Sequence, residues 1–204
     1  MAIGIFSRKG FRGATTREIA RAAGVTEALV FQHFAGKEDL YAAILEFKAK
    51  EVDGEEFLEE LRLHAERRDD EALFRSLAAR TLKYYRENVD FLRLMLYSAL
   101  EDHAMSREFR ARRMEGMDKF LCDYIRRRQR EGAFRRRSPQ AAVHAYLSQL
   151  NYHALLTMLF GADSLRISDE QAVEQFTGLF LDGMRSVASN GHGAAERAGS
   201  KKRK

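Results

Sequence analysis

Proline occurs once in this chain, at Pro139, cysteine once, at Cys122, and tryptophan not at all. A single cysteine excludes an intrachain disulfide and any cysteine-based metal cluster. With so little proline and much Ala, Leu, Arg and Glu, long helices are favoured over a turn-rich fold. No apolar run approaches the roughly 20 residues that a membrane span needs. The short apolar opening Met1-Ala2-Ile3-Gly4-Ile5-Phe6 lacks the basic region and cleavage site of a secretory signal. A cytoplasmic protein with no membrane partner is therefore expected. Signatures of catalysis are missing too. His33, His64, His103, His144, His153 and His192 form no HExxH or other metal pairing. There is no GxSxG, P-loop or GxGxxG, and Cys122 has no histidine near it in sequence. The chain is not read as an enzyme, and no cofactor is expected.

What is present is an apolar fraction of 45% with 32% charged residues, the composition of a globular protein. The net charge of +5 is unevenly spread: residues 1–50 carry +3, 51–103 carry −6 and 104–137 carry +7. An excess this modest does not by itself establish nucleic-acid binding.

Apolar residues recur at helical spacing almost throughout, and no strand pattern is found. A helix over residues 2–9 should stop at Gly10. Thr15 caps a second helix, with Glu18 completing a capping box. Gly24 turns the chain, and Thr26 caps a third helix through about His33. A fourth runs from Gly36-Lys37 to about Lys50. Residues 51–68 are charged and fit either a ragged helix or a loop. Further helices are expected over 70–87, after Asn88, over 106–131, from Ser138-Pro139 to about Phe160, and from the Ser168/Gln171 capping box to about Ala188. Residues 189–204 lack core-forming residues and are expected to be a disordered basic tail. The fold class is all-α: a head of residues 1–47 on a larger helical body of residues 48–188.

The stretch Thr15–Phe34 carries the functional signal. Two short helices meet at Gly24, Ala20 is small where they cross, and Ile19, Val25 and Val30 supply apolar contacts. This is a helix-turn-helix pattern, whose second helix enters the major groove. Thr16, Thr26 and Lys37 stand at helix N-termini, where free N–H groups and a partial positive charge favour phosphate. On the third helix Thr26, Glu27, Ala28, Leu29, Gln32 and His33 occupy the cap and outward positions. A plain helical hairpin is the alternative for so short a pattern.

Phe6, Gly10-Phe11, Thr15-Thr16, Ile19-Ala20, Ala23-Gly24-Val25, Phe31-x-His33-Phe34 and Lys37-Glu38-x-Leu40 together resemble the N-terminal domain of the TetR family of transcriptional regulators. The resemblance spans about residues 2–47. It implies DNA contacts from Thr15, Thr16, Arg17, Thr26, Glu27, Ala28, Leu29, Phe31, Gln32, His33 and Lys37. Phe31 stands where many members have a tyrosine that bonds phosphate, so it is expected to pack or to meet a base methyl. The first helix also begins inside the length the family resemblance implies; either the basic arm that usually precedes it is absent, or the native start lies further upstream.

The resemblance further implies a sequence-specific DNA-binding regulator, a repressor released by a small effector, acting as a homodimer on an operator of palindromic half-sites. The body is compatible. Phe91, Met95, Met114, Met117, Phe120, Tyr124, Tyr152 and Met158 are of the kind that line adaptable pockets for an apolar or aromatic molecule, with His153 beside them to orient a polar group. Core packing is the alternative for each. Tyr146, Gln149, Phe176, Leu179, Phe180, Gly183, Met184 and Val187 are expected to form a four-helix dimer surface. The Arg126–Arg128 and Arg135–Arg137 runs read as a solvated face at a helix C-terminus, with DNA or an acidic partner as the alternative.

Overall fold

Helices account for nearly every residue that the computed structural model describes, namely residues 1–52, 55–100, 104–161 and 167–186, with side chains described except in 49–55 and 101–115. In chain order they are α1 (Ala2–Gly13), α2 (Thr16–Ala23), α3 (Glu27–His33), α4 (Lys37–Val52), α5 (Glu55–Glu66), α6 (Asp70–Glu87), α7 (Val89–Leu100), α8 (Ala104–Arg130), α9 (Pro139–Ala154), a π turn (Leu155–Leu159) and α10 (Asp169–Met184). Among the described residues no strand forms; a single antiparallel bridge joins Phe134 to Arg185. No helix among them is long and apolar enough to cross a membrane. The tail 189–204 and Val187 lie outside the described residues, as does the Met114 side chain.

The expected stop at Gly10 is a kink. Gly10 takes φ +70°, which L-residues rarely adopt, and a further helical turn follows it. The kink swings Phe11 inward, where its ring lies 6.1 Å from Phe6 and 5.3 Å from Tyr41. These rings, with Ile19, Ala20, Val30, Leu40 and Leu45, form the core of the head. Val25, expected to join them, is more than a third exposed, because the turn at Gly24 carries it outward.

Residues 55–66, ambiguous in sequence, form α5. Leu61 and Ala65 lie one turn apart and are buried, Phe57 packs half-buried beside them, and Glu56, Glu59, Glu60 and Glu66 are exposed. The apolar helix expected from Pro139 to about Phe160 is α-helical to Ala154 and continues as the π turn to Leu159.

A second core fills the body. Phe74 of α6 packs its ring 4.6 Å from Phe180 and 5.2 Å from Tyr146. The Tyr146 hydroxyl donates to the Phe74 carbonyl at 2.7 Å and shares a hydrogen bond with Thr177 at 2.8 Å. Burial pushes its phenol up to about 12. This corrects the expected dimer surface at three positions: Tyr146, Phe180 and Met184 are buried within the subunit. Apolar helix faces seek any core, and the spacing that put these residues with Leu179 and Gly183 also suits packing on α6.

Head and body are tied through α7. Phe91 and Leu94 bury in the head's core rather than the body's, and α1 packs along α7. The Ser7 hydroxyl donates to Asp90 at 3.0 Å. On α4, Lys48 donates to the Asn88 side chain at 2.8 Å.

Candidate nucleic-acid interface

Capping decides how α2 and α3 begin. The Glu18 N–H donates to Thr15 Oγ1 at 3.2 Å, and the Thr15 N–H reaches back to Glu18 at 3.4 Å, so both arms of the capping box are present. The Leu29 N–H donates to Thr26 Oγ1 at 3.2 Å. Each threonine uses an acceptor on its cap and keeps its hydroxyl proton for another partner.

The turn between the helices is a Schellman motif. The Val25 N–H donates to the Ala20 carbonyl at 3.0 Å and the Gly24 N–H to the Arg21 carbonyl at 3.2 Å. Gly24 takes φ +70° and ψ 26°, the left-handed conformation this motif requires. Ala20 is buried at the crossing.

A polar clamp then fixes α3 on α2. Thr16 Oγ1 donates to Glu27 at 2.6 Å, and the Arg17 guanidinium stands 3.7 Å from the same carboxylate. On the other side of α2, Lys9 pairs with Glu18 at 2.5 Å; that hydrogen bond holds the Glu18 carboxyl below its usual range. Lys37 turns inward: its ammonium donates to the Ala14 carbonyl at 3.0 Å and lies 4.5 Å over the Phe11 ring.

With these contacts made, α3 presents one side to solvent. Val30 alone of its residues is buried. Ala28, Leu29, Phe31, Gln32 and His33 are all exposed, Phe31 at 51%. Burying no more than one residue in seven is unusual for a helix that serves only packing. Thr15, Thr26 and Arg17 are exposed beside it, and Thr16 is half-buried. Every DNA-contact position expected from sequence therefore lies in the head around one exposed helix. Besides the capping Thr15 and Thr26, four have partners for their side chains within it: Thr16 and Arg17 meet Glu27, and Lys37 meets Ala14 and Phe11.

The expected pocket residues are not gathered in one place. Phe91 and Met95 belong to the head's core. Met117, Phe120 and Met158 pack half-buried against the body core. Tyr124 is buried and donates to Asp70 at 2.5 Å; burial, then that carboxylate, push its phenol far up. Tyr152 is 61% exposed, so it faces out rather than into a pocket. His153 is 1% exposed, with Nε2 on Asp169 at 3.0 Å and Nδ1 without a partner among the described residues. Of the expected dimer surface, Leu179 and Gly183 are exposed, Phe176 and Gln149 half-buried.

Sequence reasoning missed the contacts that join head to body, Ser7 with Asp90 and Lys48 with Asn88. Partners 83 and 40 residues apart leave no periodic signal.

Residues 1–44 match the family model described as bacterial regulatory proteins, tetR family. No curated protein matches the sequence. Solved structures do match the fold. A TetR-family regulator from Mesorhizobium loti is 22% identical, with 91% of this chain and 93% of that one covered and a TM-score of 0.69. PfmR, a TetR-family regulator from Thermus thermophilus, is 24% identical, covering 89% and 95% with a TM-score of 0.66. AibR, solved with isovaleryl coenzyme A and operator DNA, is 20% identical, covering 87% and 92% with a TM-score of 0.63. The head of this chain belongs to the tetR family of bacterial regulatory proteins, and the whole chain has the fold of the TetR-family transcriptional regulators that it resembles.

Proposed function

We propose that this chain is a sequence-specific repressor that binds a palindromic operator as a homodimer and is released by a small apolar or aromatic effector. The observation that carries the reading is α3: a capped helix, clamped to α2 through Glu27, with five of its seven side chains facing solvent. In this reading Gln32 pairs with adenine and Leu29 meets a thymine methyl. Ala28, Phe31 and His33 complete the face, Phe31 by packing; Thr15, Arg17 and Thr26 bond phosphate through their side chains, and Thr16 through its backbone N–H at the helix start. Glu27 acts by position, holding the two helices at one angle. Lys37 joins the phosphate contacts with the ammonium protons that Ala14 leaves free.

The body is read as the regulatory and dimerisation unit, residues 48–188, with the head at 1–47. Tyr152, Phe160, Leu179 and Gly183 are exposed on α9, the π turn's end and α10, which suits a second copy. The burial of Phe91 and Leu94 in the head supports a mechanical link: a shift of α7 must move the recognition helix. The complex of AibR with an acyl-coenzyme A and DNA supports an effector with an apolar part. No enzymatic activity enters this reading.

Selection of genomic fragments on the purified protein tests it, followed by competition with small apolar and aromatic compounds. The expected result is a short inverted repeat whose affinity falls in the presence of a bound compound. Fragments enriched without a common sequence, or a compound that binds and leaves DNA affinity unchanged, would overturn the repressor reading.

A further inference from the structure

The C-terminal end of α8 carries two sets of arginines that differ in how they are balanced. On one side Arg128 donates to both oxygens of Asp70 at 2.8 and 2.9 Å and to Glu131 at 2.6 Å. Arg127 donates to the Ala65 carbonyl and stands 4.0 Å from Glu131. Arg128 is thus matched by two carboxylates, one of which, Glu131, also meets Arg68 at 3.2 Å, while Arg127 Nε has no hydrogen-bond partner among the described residues.

The other side is not matched. Arg126, Gln129, Arg130 and Arg136 line a groove of about 540 Å³, with Asp123 as its one carboxylate among the described residues. Asp123 is taken by Arg126 at 2.7 Å. Neither Arg130 nor Arg136 has an ion pair or hydrogen bond among the described residues. Three cations facing one anion leave a local charge near +2.

The groove is built rather than accidental. Gln129 Nε2 donates to the carbonyls of Arg135 and Arg137, at 2.9 and 2.8 Å, and so straps the loop that carries Arg136 onto α8. The loop is fixed from its other side by α10, where the Arg135 N–H donates to the Met184 carbonyl at 2.8 Å and the Ser186 N–H to the Ala133 carbonyl at 2.9 Å. Capping of the helix end does not account for the cations: the carbonyls of Arg127, Arg128 and Gln129 already accept from the N–H groups of Glu131, Gly132, Ala133 and Phe134.

Nor does operator DNA account for them. Asp70, at the start of α6, binds Arg128, while the far end of α6 at Asn88 binds Lys48 of the head's last helix. The 18 residues of α6 separate the two ends by roughly 27 Å, at 1.5 Å per residue.

We propose that this groove is a binding site for a small multiply charged phosphate anion, a phosphate monoester or diphosphate, held by Arg126, Arg130 and Arg136. Guanidinium forks match phosphate oxygens bidentately, which a single point charge does not. Such an anion neutralises the unmatched charge, and the volume leaves room for the organic part of an ester.

Calorimetric titration of the full chain with sodium pyrophosphate, against sodium chloride at equal ionic strength, tests the site. Saturable binding with one pyrophosphate per chain is expected. The Arg130→Gln, Arg136→Gln double variant should bind at least about tenfold more weakly. Arg62→Gln, an exposed arginine of α5 paired with Glu59, should bind as the unaltered protein does. Gln129→Ala removes no charge but releases the strap, and should weaken binding severalfold. Helicity and melting of each variant report whether it is folded. Absence of saturable heat up to about 1 mM pyrophosphate, equal weakening by Arg62→Gln, or unaltered binding in the folded double variant would each overturn the proposal. Two further arms separate the sources of phosphate. Binding confined to phosphatidic-acid vesicles, or to a duplex lacking the operator, with none of free pyrophosphate, would also overturn it. Operator affinity of the double variant should remain that of the unaltered protein, so failure of this site and failure of the DNA-binding reading are distinguishable.

Discussion

Thr16, the first residue of α2, donates a 2.6 Å hydrogen bond to Glu27, the first residue of α3. The contact spans the turn and sets the angle at which α3 leaves α2. Thr16→Val keeps the shape and removes the donor, leaving the Glu27 carboxylate with Arg17 at 3.7 Å. The melting of the DNA-free protein should reveal a loss of about 1.5–3 kcal/mol, the usual contribution of a hydrogen bond to a charged group. Unchanged melting would show that apolar contacts at Ala20 and Val30 hold the angle alone.

Gly24 offers a purer test of backbone geometry. Its φ of +70° is left-handed, and a Cβ placed there would meet nothing within 4 Å. Any cost of Gly24→Ala is therefore conformational, and about 1 kcal/mol is expected. A neutral result in denaturant unfolding would mean that the turn readily adopts another conformation.

Gly183 bears on association. It is exposed on α10, and a Cβ there also meets nothing within 4 Å, so a larger residue fits the single subunit. Gly183→Arg should leave circular dichroism unchanged and yield monomers in sedimentation, with weakened operator binding. A dimer of normal mass would place the interface elsewhere.

Acid should unfasten the body at Asp169. Arg86 donates to its two oxygens at 2.5 and 2.8 Å; that bond, partly opposed by burial and aided by His153, holds the carboxyl below its ordinary value of 3.8. A carboxyl depressed in the folded state stabilises the fold above the unfolded value, and that stability is lost as pH falls through the folded one. Arg86 is more than half exposed, so solvent screens part of the effect. Between about pH 4 and 2, Asp169→Asn should lose less melting temperature than the unaltered protein does. Parallel acid limbs would show that the pair contributes nothing.

Local signals were legible in the sequence because they act over three or four residues. The capping boxes of Thr15 with Glu18 and Ser168 with Gln171 are both formed. Gly10 and Gly24 mark the two bends in the head. The candidate DNA face was legible for the same reason: Val30 inward and Gln32 outward follow from one helical period. Residues with a choice of partner were not. Tyr146 and Phe180 fit an exposed seam by spacing, yet their rings meet Phe74, more than 70 residues from Tyr146 in the chain. Phe91 and Met95 read as pocket residues and pack on the head, since nothing in their spacing says which core α7 enters. Met and aromatic residues fill either kind of site equally well.

The most direct measurement is the operator affinity of Gln32→Ala across single base-pair variants of the selected repeat. Gln32 is exposed on α3 and takes no part in the clamp, so its loss should leave the fold intact. A fall of about 1–3 kcal/mol is expected, with discrimination lost at one base pair of each half-site and kept at the others. Affinity equal to that of the unaltered protein on every variant would contradict the assignment of α3 as the helix that reads DNA.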